Sequence, residues 1–134
     1  MSIKKFLIIA IVLSLFTIGA VSAASIADQT TDLLEKNGYK VNTHLDDQYD
    51  DAGNQYSKYV YNKGSYTTMI AYMYDYTVTQ DDLEDGFTEK TINKTKGFYK
   101  HDSKKTLFHY PCGDDSILIR TDDPNIISKI VLGN

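Results

Sequence analysis

The chain has 134 residues, of which 18 are acidic and 14 basic. This length suits one small domain. The net negative charge and the lack of a long basic run make nucleic acid and anionic lipid surfaces poor candidates for a partner.

The first residues form a pattern typical of an export signal. Lys4 and Lys5 precede an apolar run, and small residues up to Ala23 stand where a signal peptidase reads. Residues 6 to 23 are also marginally long enough to cross a bilayer of about 30 Å as an uncleaved membrane anchor. We favour cleavage, because small and polar residues dilute the run. Residues 24 to 134 are then one exported domain, secreted or at the cell surface, with 12 basic and 18 acidic residues and a formal charge of −6.

A helix and a strand are predicted next. Residues 24 to 37 place apolar side chains at helical intervals, and Asn37 with Gly38 supplies residues that tolerate a left-handed helix end. Residues 39 to 45 then alternate apolar and polar side chains, as a half-buried strand does. The polar segment DDQYDDAGN at 46 to 54 is predicted to be irregular.

Most of the tyrosines fall in a predicted β-hairpin. Residues 55 to 63 and 65 to 78 are rich in aromatic and β-branched side chains and are separated by Gly64. A symmetric turn of two or four residues sets Tyr61 opposite Tyr66. Alternation then collects on one face Tyr59, Tyr61, Tyr66, Thr68, Ile70, Tyr72, Tyr74 and Tyr76. The other face carries Val60, Thr67, Met69, Ala71 and Met73.

The rest of the chain alternates short strands with turns. Thr79 begins a predicted helical turn at 79 to 85, and the chain closes with a helix that Asp123 caps and Pro124 starts. The strand candidates between them are residues 87 to 92, 97 to 101, 106 to 110 and 116 to 121. This order predicts an α+β fold, with an antiparallel β-sheet of about five to six strands in a meander and the N- and C-terminal helices packed on one face.

A resemblance covers about a third of the chain, from residue 86 onward, where the sequence reads GFTEKTINKTKGFYKHDSKKTLFHYPCGDDSILIRTDDPNIISKIV. A strand containing residues 91 to 93 leads to a Gly-aromatic strand at 97 to 99, and two further strands precede a terminal helix over 122 to 130. This pattern resembles a group of small exported proteins of unknown function that are typical of methane-producing archaea. The resemblance implies an exported domain and supplies no active site.

Residues that could support metal binding or nucleophilic catalysis are scattered along the chain. His44, His101 and His109 share no zinc-ligand spacing, so we expect no metal or cofactor. Cys112 is the only cysteine, which excludes an internal disulfide. We interpret it as a buried or inert thiol, with a disulfide-linked dimer as the alternative. A Cys-His nucleophile from His109 and Cys112 lacks an identifiable orienting group or oxyanion site.

Acidic pairs and one sequon complete the list of candidate sites. The segment at 46 to 54 could offer oxygen ligands to calcium, but it lacks the spacing and the terminal glutamate of a calcium loop. We favour solvated turns. Asn93-Lys94-Thr95 is a glycosylation sequon in a predicted turn. Carboxylates for a small hydrolase cannot be paired from sequence, because their separation is a three-dimensional quantity.

The tyrosine row leads to the functional prediction. Tyrosine has an apolar body and a polar tip and is enriched where proteins meet ligands. We therefore predict that the helices cover the methionine and alanine face and leave the tyrosine face open, although tyrosines also simply raise β-propensity. The prediction is a non-catalytic exported domain that binds a protein or surface polymer through Tyr59, Tyr61, Tyr66, Tyr72, Tyr74 and Tyr76. The alternatives are a structural envelope-associated domain without a ligand and a small hydrolase that uses clustered carboxylates.

Overall fold

A computed structural model describes residues 23 to 132 and shows one seven-stranded antiparallel sheet with two helices. The elements in chain order are α1 (Ala23–Lys36), β1 (Lys40–Tyr49), β2 (Gln55–Lys63), β3 (Tyr66–Met73), β4 (Thr88–Ile92), β5 (Thr95–Asp102), β6 (Lys105–Cys112), β7 (Asp115–Thr121) and α2 (Ile127–Ile130). A 3₁₀ turn at Gln80–Asp82 lies between β3 and β4. Of the predicted signal or anchor segment, all but Ala23 lies outside the described residues. No helix within residues 23 to 132 is long and apolar enough to cross a membrane.

The sheet joins two antiparallel meanders. The strand order is β1-β2-β3-β7-β6-β5-β4, so β3 pairs with β7 at the centre. The predicted antiparallel α+β fold is confirmed, whereas the predicted count of five to six strands in one meander is wrong. Residues 74 to 87, which we call the crossing segment, carry the chain from the centre to the far edge, and the last strand then returns to β3.

The central hairpin keeps the predicted faces in a different register. Lys63 pairs with Tyr66 around a two-residue turn that starts at Gly64, whose φ is +57°. Tyr61 consequently lies opposite Thr68 and not opposite Tyr66. Because this register differs from the predicted one by two residues, every side chain within β2 and β3 stays on its predicted face.

Helix α1 packs on the face that was predicted to be open. Ile26 and Leu34 of α1 belong to one buried cluster with Tyr61 and Tyr72 of the sheet. The prediction that the helices cover the methionine and alanine face is therefore wrong. The tyrosine face is covered because neighbouring strands extend its apolar surface, with Ile119 of β7 among the fully buried residues.

Helix α1 ends where its sequence predicted, whereas α2 begins three residues later than predicted, at Ile127 in place of Pro124. The carbonyl of Leu34 accepts a hydrogen bond from the Tyr39 N–H, 3.0 Å away, and Gly38 has a φ of +92°, so α1 ends in the left-handed conformation that the sequence predicted. The predicted cap is also wrong, because Ile126 stands at the N-cap of α2; Asp123 Oδ1 instead accepts the Asn125 N–H at 3.0 Å in the turn before the helix. The apolar stripe predicted there is buried and comprises Ile126, Ile127, Ile130 and Val131.

Strand β1 is longer than the sequence predicted. It continues through residues 46 to 49, which were expected to be irregular. Register shifts between Val41 and Thr43 and between Leu45 and Gln48 mark bulges in its pairing with β2. A bulge leaves an extra residue out of the ladder, which lets a polar segment continue an edge strand.

Candidate functional site

The structure buries much of the predicted tyrosine site. Tyr61 and Tyr72 have no exposed surface, and Tyr59 and Tyr74 are half-buried. Tyr66, next to the turn, retains 38% of its surface. The structure thus corrects the placement of this row, which forms the floor under α1 and no open platform.

Tyr76 does not share a face with the other five tyrosines. Its ring lies 6.0 Å from that of His109, near-parallel to it, on the opposite side of the sheet. The chain has already left β3 at Met73, so the alternation that predicted its face no longer applies.

The tyrosine hydroxyls explain how these side chains tolerate burial. The hydroxyls of Tyr61 and Thr31 share a hydrogen bond of 2.8 Å, and Tyr74 donates to Ser57 Oγ at 2.8 Å. Tyr72 is the exception, because its hydroxyl reaches no hydrogen-bond partner among the described residues. Burial raises the pKa of Tyr72 well above its usual range, so the phenol stays neutral.

A chain of polar side chains at the β1 bulge resembles a catalytic triad only in composition. Asp46 Oδ1 accepts from Ser57 Oγ at 2.8 Å and lies 2.8 Å from His44 Nε2. The carboxylate therefore stands between the hydroxyl and the imidazole, whereas a triad needs the imidazole against the nucleophile. Hydrogen bonds from Ser57 and His44 lower the pKa of Asp46, which makes it a weak base. The cluster pins the bulged strand to β2.

The acidic loop after β1 uses its own carboxylate. Asp50 Oδ1 accepts the N–H groups of Ala52 and Asn54 at 3.0 and 2.8 Å, which lowers the pKa of Asp50. This is an Asx-type turn of the kind the sequence favoured over a calcium loop. Within residues 23 to 132, no three His, Cys, Asp or Glu side chains converge as metal ligands.

Asn93 and Thr95 of the sequon hold the C-terminal segment. The Asn93 amide donates to the carbonyls of Ser128 at 2.6 Å and Val131 at 3.0 Å. Thr95 is buried and its hydroxyl donates to the Leu132 carbonyl at 2.9 Å. A glycan on this amide would displace both contacts of Asn93.

His109 and Cys112 lie on different faces of β6. His109 is buried beneath the crossing segment with its Nε2 3.1 Å from Ser116 Oγ, and burial lowers its pKa to about 4. Cys112 is half-buried, and burial followed by the charge of Asp115 raises the pKa of its thiol. Both groups are neutral at pH 7, which favours packing over nucleophilic roles.

The face opposite α1 carries a groove that the sequence analysis did not identify as a site. Its floor is formed by half-buried apolar residues of four neighbouring strands, and its sides by cations. We define the open-face groove as Lys58, Val60, Met69, Lys104, Lys105, Leu107, Leu118 and Arg120. Tyr76 of the crossing segment stacks on His109 over the adjoining part of the same face, and Glu84 of that segment lines the larger hollow at the edge of the groove.

Strand register aligns the groove across the sheet. Val60 of β2 pairs with Met69 of β3, Met69 with Arg120 of β7, and Arg120 with Leu107 of β6. Two hollows of about 220 and 620 Å³ meet in this row and share Met69, Lys105 and Arg120. Alternation along each strand places all members of this row on the methionine and alanine face. The sequence did not reveal which strands are neighbours, so the row itself could not be predicted.

Arg120 is the chemically distinctive residue of the groove. It is the only arginine in the sequence, it is exposed, and it forms no ion pair or side-chain hydrogen bond within the described part of the chain. A guanidinium presents five N–H donors in a planar fork that fits a carboxylate or phosphate. The feature that could have identified Arg120 from the sequence is its position as the single cation in the otherwise mostly apolar strand SILIRT.

Comparisons with protein-family models, curated proteins and solved structures found no match.

Proposed function

We propose that this chain is a non-catalytic exported domain that binds another protein or a surface polymer through the open-face groove. The proposal keeps the predicted class of function and moves the binding surface to the opposite side of the sheet. Export rests on the N-terminal sequence pattern.

One observation carries the proposal. The sheet has a helix over one face, while the other face presents half-exposed Val60, Met69, Leu107 and Leu118. Beside them lies an arginine that has no partner among residues 23 to 132. Apolar side chains that remain in water lose the free energy of about 25 cal/mol per Å² that burial would provide. A ligand that covers this row recovers that energy and gives Arg120 a partner.

Binding of the exported chain to envelope material from its own cells tests this proposal. Leu107→Asp places a charge in the floor of the groove and should abolish binding. Val41→Asp is the matched control, because Val41 is 41% exposed on the edge strand β1, outside the groove. Both variants should keep the far-UV circular dichroism of the wild type. Equal binding by the Leu107→Asp variant and the wild type would show that the groove is not the binding surface.

A further inference from the structure

We infer that the open-face groove binds an extended segment of a partner protein in which acidic and apolar side chains alternate, with one carboxylate on Arg120. This inference rests on the proposed function and narrows its ligand from a protein or surface polymer to an acidic peptide segment.

Charge complementarity selects the acidic component. Lys58, Lys104, Lys105 and Arg120 form no ion pair among the described residues, while the domain after residue 23 carries a formal charge of −6. A concentration of unpaired cations attracts an anion to this face. The net negative charge of the whole domain, in contrast, opposes the approach of a second copy of the chain.

The acidic residues in the groove favour a ligand whose negative charges are separated over a polyanion that is charged on every unit. Asp102 and Asp122 line the same hollows as the cations, and Glu84 pairs with Lys100 at 3.1 Å. Asp122 Oδ1 accepts the Thr67 N–H at 2.9 Å, so its carboxylate is fixed in place. A chain with one negative charge on every unit would set some of those charges against these carboxylates. A peptide can place acids at the cations and neutral side chains at the acids.

The floor of the groove selects peptide over polysaccharide. No aromatic ring from the described part of the chain lines either hollow, so these residues offer no flat surface on which sugar rings stack. The floor instead offers Met69, Leu107 and Leu118, which are flexible aliphatic side chains. Methionine is over-used at surfaces that bind varied peptides, because it adapts its shape to apolar side chains.

The dimensions fit a short extended segment. The two hollows of the groove extend across the sheet from Lys58 of β2 to Lys100 and Asp102 of β5, which is four inter-strand spacings or about 19 Å. An extended chain rises about 3.3 Å per residue, so about six residues span this distance. Alternate side chains of such a segment point down, onto the apolar floor and the guanidinium.

Selection from a library of random twelve-residue peptides displayed on phage tests this inference. The bait is the full chain, expressed in an exporting host and immobilised. We expect enriched peptides that alternate Asp or Glu with Leu, Ile, Val or Phe. The peptide that binds most tightly is then synthesised. Its affinity should fall as the salt concentration rises, because its ion pairs with the groove are exposed to solvent.

Variants at one position identify the carboxylate contact. Arg120→Ala should weaken binding of that peptide at least about tenfold. Arg120→Lys should recover only part of the loss, because an ammonium cannot form the bidentate pair. Lys96→Ala is the matched control and should bind as the wild type does, because Lys96 lies outside the groove and is paired with Glu89 at 3.3 Å. Arg120→Gln provides a second uncharged variant should Arg120→Ala fold poorly.

The other outcomes separate this inference from the proposed function. Peptide binding that is lost in Leu107→Asp but unchanged in Arg120→Ala and Arg120→Gln would overturn the inference and leave groove binding standing. Polygalacturonate or polyphosphate that binds through the groove, with no enriched peptide, would do the same. If Leu107→Asp changes the binding of no probe, the proposed function fails together with the inference.

Discussion

Gly97 allows β5 to approach the aromatic core of the sheet. A Cβ built there would lie 2.7 Å from Tyr110 Cβ, 2.8 Å from Phe108 Cζ and 2.9 Å from the His109 carbonyl oxygen. Contacts this short force a backbone shift, because one of the neighbouring atoms is itself backbone. Gly97→Ala should therefore destabilise the protein by about 2 kcal/mol, read from urea unfolding. Lys96→Ala in the same strand is the control, and equal midpoints for the two variants would contradict this account.

Tyr61 and Tyr72, two of the buried tyrosines, should respond differently to the loss of their hydroxyls. Tyr72→Phe removes a buried hydroxyl that has no hydrogen-bond partner among the described residues, and it should leave stability unchanged or raise it. Tyr61→Phe removes the bond to Thr31 and should cost about 1 kcal/mol. Thermal unfolding of this matched pair measures the difference. A larger loss in Tyr72→Phe would mean that its hydroxyl is satisfied in solution.

At the scale of elements, the β4–β5 turn supports the C-terminal helix. Asn93 has a φ of 51°, a conformation that asparagine tolerates, and its amide bonds two carbonyls around α2. Asn93→Gly keeps the turn and loses the two bonds, which should cost about 2 kcal/mol. Asn93→Ala adds backbone strain and should cost about 1 kcal/mol more. Faster amide hydrogen exchange in residues 127 to 132 should accompany both changes, and unchanged exchange there would remove the supporting role.

The sequence predicted the positions of helices and strands better than it predicted which strands pair and which face is covered. Alternation, strand-forming composition and turn residues marked a segment for each strand, although the predicted count was five to six, and Gly38 marked the end of α1, because these signals are local. The position of β7 beside β3 depends on where the crossing segment carries the chain, which no local pattern records. The covered face was assigned wrongly for a related reason. Tyrosine tips suggested water, but their hydroxyls bond to Thr31 and Ser57, residues that only the fold brings near.

At the scale of the whole molecule, one face of the sheet forms the core and the other carries the exposed groove. Helix α1 and the tyrosine face form the core, so the exposed groove can carry Arg120 without disturbing it. Neighbours of the groove that sit beneath the crossing segment are buried, and His109 is among them with 5% of its surface exposed. The crossing segment thus buries His109, a titratable group, on the face that carries the groove. This burial couples the stability of the molecule to pH.

Acid should weaken the protein through His109 before most carboxylates titrate. Its pKa is about 6.5 when unfolded and about 4 when folded, because burial opposes the imidazolium more than Asp82 favours it. The unfolded state consequently binds more protons between these values. The stability contributed by the neutral imidazole is complete above pH 6.5 and falls by about 3 kcal/mol as the pH drops to 4.

Urea unfolding at pH 7 and pH 4.5 measures this loss. His109→Gln keeps a side chain that can reach Ser116 and removes the titrating group, so its midpoint should change much less between the two pH values. His101→Gln is the matched control, because His101 is exposed on β5 and its side chain is hydrogen-bonded to Thr106. If the wild type and His109→Gln lose equal stability on acidification, the loss belongs to the carboxylates, and the seal over His109 admits water and protons freely.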